Sequence, residues 1–452
     1  MAERTPIESE LTPPEESPSG WRFALRALRS RNYRLFFSGQ SISLIGTWMT
    51  RIATSWLVYR LTGSAFLLGL VGFAGQIPTF ILGPFAGVWV DRWDRHRVLI
   101  VTQVLSMVQS FWLAGLALSK TITFNEIFAL SVFQGVINAF DMPARQAFLL
   151  QMVDTREDLP NAIALNSSMV NGSRLLGPAL AGVVIAAFGE GYCFLIDGIS
   201  YIAVIISLLT MHIITAQVIR RREGALREFR QGWNYVSRFK PIRAILLLLA
   251  LVSFVGMPYT VLMPIFAQKI LHGGPNTLGM LMGATGVGAL ICAIALAARR
   301  TVLGLGRMIA ISCAIFGAGL IVFSLSHWLI LSLVLLLFTG FGMMQQMAAS
   351  NTILQTITDE DMRGRVMSYY SMAFVGTAPF GSLAAGYVAQ RVGAPKTLII
   401  GGICCFLGAA WFWRELGEIR RLIRPIYRRL GILPEMVEGV QTATNLQSSV
   451  ER

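Results

Sequence analysis

Charged residues are scarce in this chain. Asp, Glu, Lys and Arg together make up 14% of its 452 residues, whereas soluble globular proteins carry about 25%. Hydrophobic residues account for 54% of the chain, and the mean hydropathy is +0.60. A soluble chain of this length would need more polar surface than these residues supply. The composition therefore excludes a soluble globular protein and indicates an integral membrane protein.

Cysteine is also sparse, and the five cysteines lie in apolar runs without the spacing of metal ligands. The sequence has no phosphate-binding loop ending in Gly-Lys-Ser/Thr, and nothing resembles a hydrolase elbow or a zinc cluster. Few titratable residues lie in the apolar runs, too few for a membrane enzyme. We therefore expect no enzymatic activity, no metal and no cofactor.

Twelve apolar runs are long enough to cross about 30 Å of hydrocarbon as helices, at 1.5 Å per residue. They lie at 35–61, 65–90, 98–118, 127–149, 162–187, 191–213, 244–268, 277–298, 308–326, 328–350, 366–389 and 396–413. The predicted fold class is thus an all-α membrane protein with twelve transmembrane helices, arranged as two pseudo-symmetric six-helix bundles.

The formal net charge of +14 would indicate nucleic-acid binding in a soluble protein. Here topology accounts for it, because with the N-terminus inside, 31 of the 38 basic residues lie on the inner side. Five lie outside, at Arg60, Lys120, Lys269, Arg391 and Lys396. We therefore expect no nucleic-acid partner and a multi-pass protein of the plasma (inner) membrane with both termini cytoplasmic.

The predicted domains follow from these spans. Residues 1–34 form a disordered tail and a basic amphipathic helix, and residues 35–213 form the N-terminal bundle. Residues 214–243 form a basic cytoplasmic linker, residues 244–413 the C-terminal bundle, and residues 414–452 a cytoplasmic amphipathic segment and tail. The basic amphipathic segments are suited to a bilayer with an anionic inner leaflet.

An internal repeat supports two related halves. With a shift of 204 residues, Gly177 aligns with Gly381 and Gly182 with Gly386 without a gap. Duplicated halves are a known plan of transporters, and small residues let helices pack closely. The residues predicted to mediate close helix packing are Gly83, Gly87, Gly177, Pro178, Gly182, Gly381 and Gly386.

The loop after the second helix, from Gly87 through Asp91 and Arg92 to Arg97, resembles the signature loop of the major facilitator superfamily. Segments at 45–51, 141–146, 177–182 and 363–367 are similar to its branch with the enterobactin exporter and macrolide efflux proteins. The resemblance implies alternating access, in which two bundles rock around a central cavity. It also implies that helices one, four, seven and ten line that cavity, while helices two and eleven, and five and eight, form the sliding interfaces.

The chain departs from the family pattern at two positions. Asp94 stands where the signature loop normally has glycine, and Ser131 stands where proton-coupled members have a membrane-embedded arginine in helix four. The second departure puts the usual helix-four route of proton coupling in doubt.

The resemblance also implies a gate. In the family, the aspartate at the position of Asp91 faces the start of helix eleven. The free amides there carry partial positive charge, so they would attract the Asp91 carboxylate. The predicted gating residues are Asp91, Arg92, Arg95, Asp141, Arg145, Gly364 and Arg365.

Polar stripes on the predicted cavity helices give candidate substrate contacts. Lipid does not tolerate such stripes, so they must face protein or water. The candidates are Gln40, Thr47 and Arg51 on helix one, Gln134 and Asn138 on helix four, Arg174 on helix five, Tyr259 on helix seven and Gln346 on helix ten. The alternative is hydrogen bonding between helices without a substrate.

Arg51 and Arg174 leave an excess of positive charge in the membrane, which favours an anionic or electron-rich substrate. Asp197 either pairs with an arginine or carries a proton, and it is our candidate coupling residue.

Together these features predict a monomeric secondary transporter for a small molecule. Efflux of a siderophore, drug or organic anion, coupled to protons, is the expectation. An importer of the same fold and a non-transporting receptor or scaffold remain as alternatives.

Overall fold

The computed structural model describes residues 25–211, 225–299 and 301–432. The side chains of Pro84, Asp91, Leu150, Arg156 and 225–229 lie outside that description. The tail predicted at 1–20, residues 433–452 of the tail predicted at 431–452, and linker residues 214–224 also fall outside it.

The first bundle is built from α1 to α6. Their bounds are α1 Arg31–Thr62, α2 Ala65–Ala74 continued by Ile77–Arg92, α3 Arg95–Leu118, α4 Phe124–Met152, α5 Leu159–Phe188 and α6 Glu190–Leu209. Helix α2 is interrupted at Gly75 and Gln76. Pro78 follows the break in the first turn of the next segment, where its missing N–H costs nothing.

The second bundle follows the linker helix Ala225–Arg238 and is built from α7 to α12. Their bounds are α7 Lys240–Ile270, α8 Pro275–Ala297, α9 Leu305–Ser324, α10 Leu329–Ile357, α11 Glu360–Val392 and α12 Ala394–Arg429. Wider π-helical turns interrupt α7 at Val252–Gly256 and Phe266–Ile270, and α11 at Met372–Gly376.

The fold class predicted from the sequence is confirmed. Eleven of the described helical stretches are long and apolar enough to cross a membrane. Helix α1, with 32 residues, is also long enough. It carries four arginines and a polar stripe, so its composition is less apolar than that of the other eleven spans.

The internal repeat extends to the backbone of two turns. Gly189, between α5 and α6, has φ +93°, and Gly393, between α11 and α12, has φ +92°. The two residues are 204 positions apart, the repeat length read from the sequence. Both adopt a left-handed conformation that favours glycine, so the duplicated halves share this turn.

Two described segments differ in extent from the predicted ones. Within the amphipathic helix predicted at the end of segment 1–34, the described residues 25–34 form a 3-10 turn at Arg26–Arg29 and the start of α1 at Arg31. Arg26 lies 3.0 Å from the Asp158 carboxylate, so it contacts protein. At the other end, the segment from 414 is no separate element, because α12 continues unbroken to Arg429.

The two bundles meet along α2 with α11 and α5 with α8. We call the end of the molecule that carries the linker helix the linker side and the other end the distal side. On the distal side, an added Cβ at Gly386 would lie 2.8 Å from the Gly69 Cα, and one at Gly182 would lie 3.0 Å from the Gly279 Cα. Backbones therefore touch across the interface there.

The linker side is more open. An added Cβ at Gly83, Gly87 or Gly364 would meet nothing within 4 Å. Hence Gly83 and Gly87, expected to pack closely, have no helix against them in this conformation. Ser167 and Ser168 on the linker half of α5 are also exposed. The bundles are thus closed on the distal side and apart on the linker side.

Replacing Gly386 with alanine should destabilise this closed arrangement, because the methyl group would lie 2.7 Å from the Ala65 carbonyl oxygen. Overpacking costs about 1–3 kcal/mol, so we expect a lower midpoint of thermal unfolding for the purified protein in detergent. The matched control is Gly83→Ala, where the methyl group meets open space and alanine is the better helix former. Equal midpoints for the two variants would contradict close packing at Gly386.

Candidate functional site

Two arginines share one indole ring near the middle of the molecule. The guanidinium carbon of Arg51 lies 5.2 Å from the Trp48 ring centroid, and that of Arg174 lies 5.8 Å from it. Both distances fall within the range of cation–π attraction. Gly177 on α5 lies against the Trp48 Cβ and leaves no room for a side chain, so it brings α1 and α5 together.

The arginine pair faces the space between the bundles. Arg51 and Thr47, one helical turn apart on α1, are both exposed. A mid-membrane arginine does not face lipid, so their exposure marks a water-accessible space. Arg174 reaches the second bundle, where its Nη2 lies 3.9 Å from the Met343 sulfur on α10. It also lies close enough to Tyr259 on α7 for an electrostatic interaction.

The acid that could have neutralised an arginine is held elsewhere. Asp197 on α6 accepts hydrogen bonds from the Thr50 hydroxyl (2.8 Å) and the Ser110 hydroxyl (3.0 Å). Among the described residues, no carboxylate lies within ion-pair distance of Arg51 or Arg174. The Arg–Asp pair considered from the sequence is therefore not formed, and neither arginine has a carboxylate partner among the described residues.

Helix α3 supplies polar residues that the sequence reasoning missed. Five of its polar side chains are buried: Thr102, Gln103, Ser106, Gln109 and Ser110. Their spacing of three or four residues places them along one face, as on α1 and α4. Reading α3 by angle would have found them, but the family plan does not count helix three among the cavity helices.

The α3 stripe binds a second buried acid. Asp141 on α4 accepts from the Thr102 hydroxyl (3.0 Å) and the Gln103 amide (2.8 Å), and it pairs with Arg145 one turn away. It therefore belongs to a network within the first bundle. Its hydrogen bonds are to α3 and α4. The predicted gating role would instead require contacts with the start of α11.

The substrate candidates divide into three groups. Arg51, Arg174 and Tyr259 come together at the bundle interface, with Thr47 beside them. Gln134 donates to Ser106 and Asn138, each at 3.2 Å, inside the first bundle. Gln40 on α1 and Gln346 on α10 are almost fully buried, at 2% and 1% exposure, in separate bundles. The structure thus gathers only the first group into one site.

The gating candidates lie on both sides of the linker-side opening. Asp91 is in the last turn of α2, but its side chain lies outside the described residues. Arg92 is exposed and Arg95 begins α3. On α11, Gly364 faces open space, and Arg365 lies 3.3 Å from the Cβ position of Gly232 on the linker helix.

The unusual Asp94 of the signature loop has a structural task. Its carboxylate accepts from the backbone N–H of His96 (2.9 Å) and of Arg97 (3.4 Å). Asp94 is therefore the N-cap of α3, a position where aspartate is strongly preferred over most residues. The departure from glycine thus stabilises the start of this helix.

A polar contact joins the bundles on the distal side. The Gln390 side-chain oxygen on α11 accepts from the backbone N–H of Ala65 (3.0 Å) and from the Ser64 hydroxyl (3.2 Å). It thereby satisfies a free amide at the start of α2, which has no partner within its own helix. We call this contact the distal latch. The sequence offers no signal for it, since the partners are more than 320 residues apart.

No group of His, Cys, Asp and Glu among the described residues could hold a metal ion. The site is thus made of arginine, aromatic, methionine and hydroxyl side chains. These side chains can bind and orient an anion. Among the described residues of the site, no nucleophilic side chain lies beside a general base.

Comparison with known proteins places the chain among transporters. The model of the family described as transmembrane secretion effector matches residues 23–419. The staphyloferrin A transporter of Staphylococcus aureus is 27% identical over 82% of this chain and 92% of its own. Macrolide efflux protein A of Streptococcus pyogenes is 24% identical over 86% and 98%. A bacterial homologue of the lysosomal transporter Spinster, inward-facing and occupied, has a TM-score of 0.68 at 13% identity, over 88% and 98%.

Replacing Thr50 with valine should destabilise the first bundle, because it removes a hydroxyl that donates to the buried Asp197 carboxylate. Hydrogen bonds to charged groups contribute about 1.5–3 kcal/mol, so we expect a clear fall in the thermal unfolding midpoint. Thr54→Val, one turn along α1, is the matched control. If both variants unfolded at the same temperature, the Thr50–Asp197 bond would carry no stability.

Proposed function

The chain belongs to the transmembrane secretion effector family of major facilitator transporters, and from this premise we propose that it exports a small organic anion across the bacterial plasma membrane. It is a multi-pass membrane transporter and not an enzyme. The proposal concerns the direction of transport, the chemistry of the substrate and the coupling.

One observation carries the substrate class: two arginines lie at the bundle interface with no carboxylate beside them among the described residues. An uncompensated charge in the membrane costs about 2.5–3.5 kcal/mol on insertion scales. A bound anion would recover that cost through charge-assisted hydrogen bonds, for which the planar guanidinium is well suited. The charge of the pair thus favours an anion over a cation or a neutral solute.

The second bundle adds an apolar and adaptable wall. Met343 and Tyr259 lie against Arg174, and Met344 and Met347 follow on α10. Methionine side chains are flexible and polarisable, so they accommodate varied shapes. An amphiphilic anion with a carboxylate end and an organic body would use both walls. A siderophore with carboxylate groups would fit this description, and one relative is named as a transporter of staphyloferrin A.

Alternating access supplies the mechanism. The surplus of basic residues on the linker side favours a cytoplasmic linker and cytoplasmic termini. The conformation described here then opens to the cytoplasm, where an exporter loads its substrate. Reorientation would break the distal latch at Gln390 and bring Gly83 and Gly87 of α2 against the start of α11. Asp91, Arg92, Arg95, Gly364 and Arg365 would then hold the cytoplasmic side closed.

Proton coupling would belong to the first bundle. The second bundle contains no Asp or Glu between residues 229 and 358, so the acids deep in the chain are Asp141 and Asp197. Asp141 is neutralised by Arg145. Asp197 is 1% exposed, and its Oδ1 has no hydrogen-bond partner among the described atoms. Because α1 carries both Arg51 and the Thr50 bond to Asp197, protonation there could reach the substrate site through this helix.

Replacing Arg51 with glutamine should weaken transport of a polycarboxylate siderophore about tenfold or more, since a charge-assisted hydrogen bond contributes about 1.5–3 kcal/mol. A neutral macrolide should be affected less. Uptake into everted vesicles measures both substrates, with and without a collapsed pH gradient. Arg391→Gln, a change of the same charge at the distal end, is the control.

Three results would contradict parts of the proposal separately. An equal loss of transport of anionic and neutral substrates in Arg51→Gln would contradict an anion-binding role of Arg51. Accumulation in right-side-out vesicles alone would favour an importer. Transport that is unchanged when the pH gradient collapses, or that stays gradient-dependent in Asp197→Asn, would remove Asp197 as the coupling residue.

Asp91→Asn should abolish transport without reducing the amount of protein in the membrane, because the carboxylate would no longer meet the start of α11. Thiol labelling of Gly364→Cys measures closure directly: we expect this cysteine to stay accessible in the Asp91→Asn background and to be protected part of the time without it. Asp154→Asn, an exposed acid on the same side, is the control. Normal transport by Asp91→Asn at normal abundance in the membrane would contradict the gating role of Asp91.

A further inference from the structure

A second cavity lies on the linker side of the second bundle, away from the arginine pair. It has a volume of about 340 Å³ and lies between the starts of α7 and α9, the end of α10 and the extension of α12. This size falls within the range of about 300–1,000 Å³ typical of small-molecule sites. Its walls are mainly apolar, with Val302, Ile353, Leu416, Ile419 and Ile423 among the lining residues.

Three arginines line the same cavity. Arg307 lies on α9, and Arg420 and Arg424 lie one turn apart on α12. All three are exposed, and Arg307 lies close enough to Arg420 for the two charges to repel each other. The two glutamates of the α12 extension pair with Lys240 instead. No carboxylate of the described residues pairs with these three arginines, so the cavity presents a concentrated positive charge.

The backbone at the start of α9 adds to this charge. Gly304 precedes the helix with φ +83°, and no side chain caps this helix start, where the Leu305 and Arg307 amides donate to the Val302 and Gly304 carbonyl oxygens. An added Cβ at Gly306 would lie 2.9 Å from the Leu416 side chain, so glycine keeps this helix end close to α12. A helix N-terminus carries partial positive charge and is suited to phosphate groups.

The depth of the cavity matches a membrane surface. Helix α9 is just 20 residues long, about the length needed to cross the hydrocarbon, and Arg307 lies in its first turn. On α12, Trp411 and Trp413 are 39% and 50% exposed, and they lie about two to two and a half turns before Arg420. Exposed tryptophans mark the interface between hydrocarbon and headgroups. The arginines thus lie at or just beyond the headgroups.

We propose that this cavity binds one anionic phospholipid of the adjacent leaflet. The phosphodiester of this lipid lies among Arg307, Arg420 and Arg424, beside the positive end of the α9 dipole, and an acyl chain lies against the apolar wall. Basic cavities between membrane helices are suited to such headgroups. The bound lipid would tie the α12 extension to α9 and α10. The proposal does not depend on which substrate is transported.

Native mass spectrometry of the full-length protein in detergent, with phosphatidylglycerol or phosphatidylcholine added, tests the site. We expect a retained lipid with phosphatidylglycerol and not with phosphatidylcholine. Arg420→Gln combined with Arg424→Gln should weaken that binding about tenfold or more, since each cation near an anionic surface contributes about fivefold. The matched control is Arg421→Gln with Arg428→Gln, which removes the same charge from exposed positions outside the cavity.

Two further measurements separate the other occupants. Leu303→Trp narrows the cavity without changing its charge, and we expect it to reduce lipid binding as well. Equal lipid loss in the two arginine pairs, or competition by soluble glycerol phosphate as strong as by lipid, would overturn the proposal. So would a gain in lipid binding only after residues 433–452 are removed, because the acidic tail would then be the natural occupant.

Discussion

The centre of this protein depends on one interaction: the guanidinium groups of Arg51 and Arg174 both lie over the Trp48 indole. No carboxylate of the described residues lies within ion-pair distance of either group. A charge at mid-membrane must face water or a partner. The indole supplies part of the compensation through its electron-rich face, and the space between the bundles supplies water. The backbone contact at Gly177 brings α1 and α5 close enough for both arginines to reach one ring. The centre of the molecule is therefore cationic and accessible from the linker side.

The two bundles contribute different side chains to the centre of the molecule, although a sequence repeat of 204 residues relates them. The first bundle contains the buried Asp141 and Asp197 and the hydroxyl and amide groups of α3 that bind them. The second contributes methionine, an aromatic ring and no acid over its first four helices. Its α7 and α11 contain wider π-helical turns, which often occur at functional positions. A rigid polar half and an adaptable apolar half together suit a substrate that has both characters.

Glycine placement shows how the same interface can close at either end. Gly69 with Gly386, and Gly182 with Gly279, bring backbones together on the distal side. Gly83, Gly87 and Gly364 stand in open space on the linker side, where they leave room for a similar approach. Small residues at both ends of one interface allow the contact to move from one end to the other. The Gln390 contact adds a polar bond that this movement would have to break.

The sequence by itself determined the twelve spans and the repeat of 204 residues. It also identified Arg51 and Arg174 as basic residues within the membrane spans, which the sidedness of charge does not explain. These features depend on local composition and on counting, because the bilayer imposes a fixed apolar length and charges sort by side. Tertiary structure alone decided which polar side chains meet. Asp197 binds Thr50 and Ser110 instead of Arg51, Asp141 joins α3 instead of α11, and Gln390 caps a helix of the other bundle. The rotation of each helix about its axis selects these partners, and packing against distant helices sets that rotation.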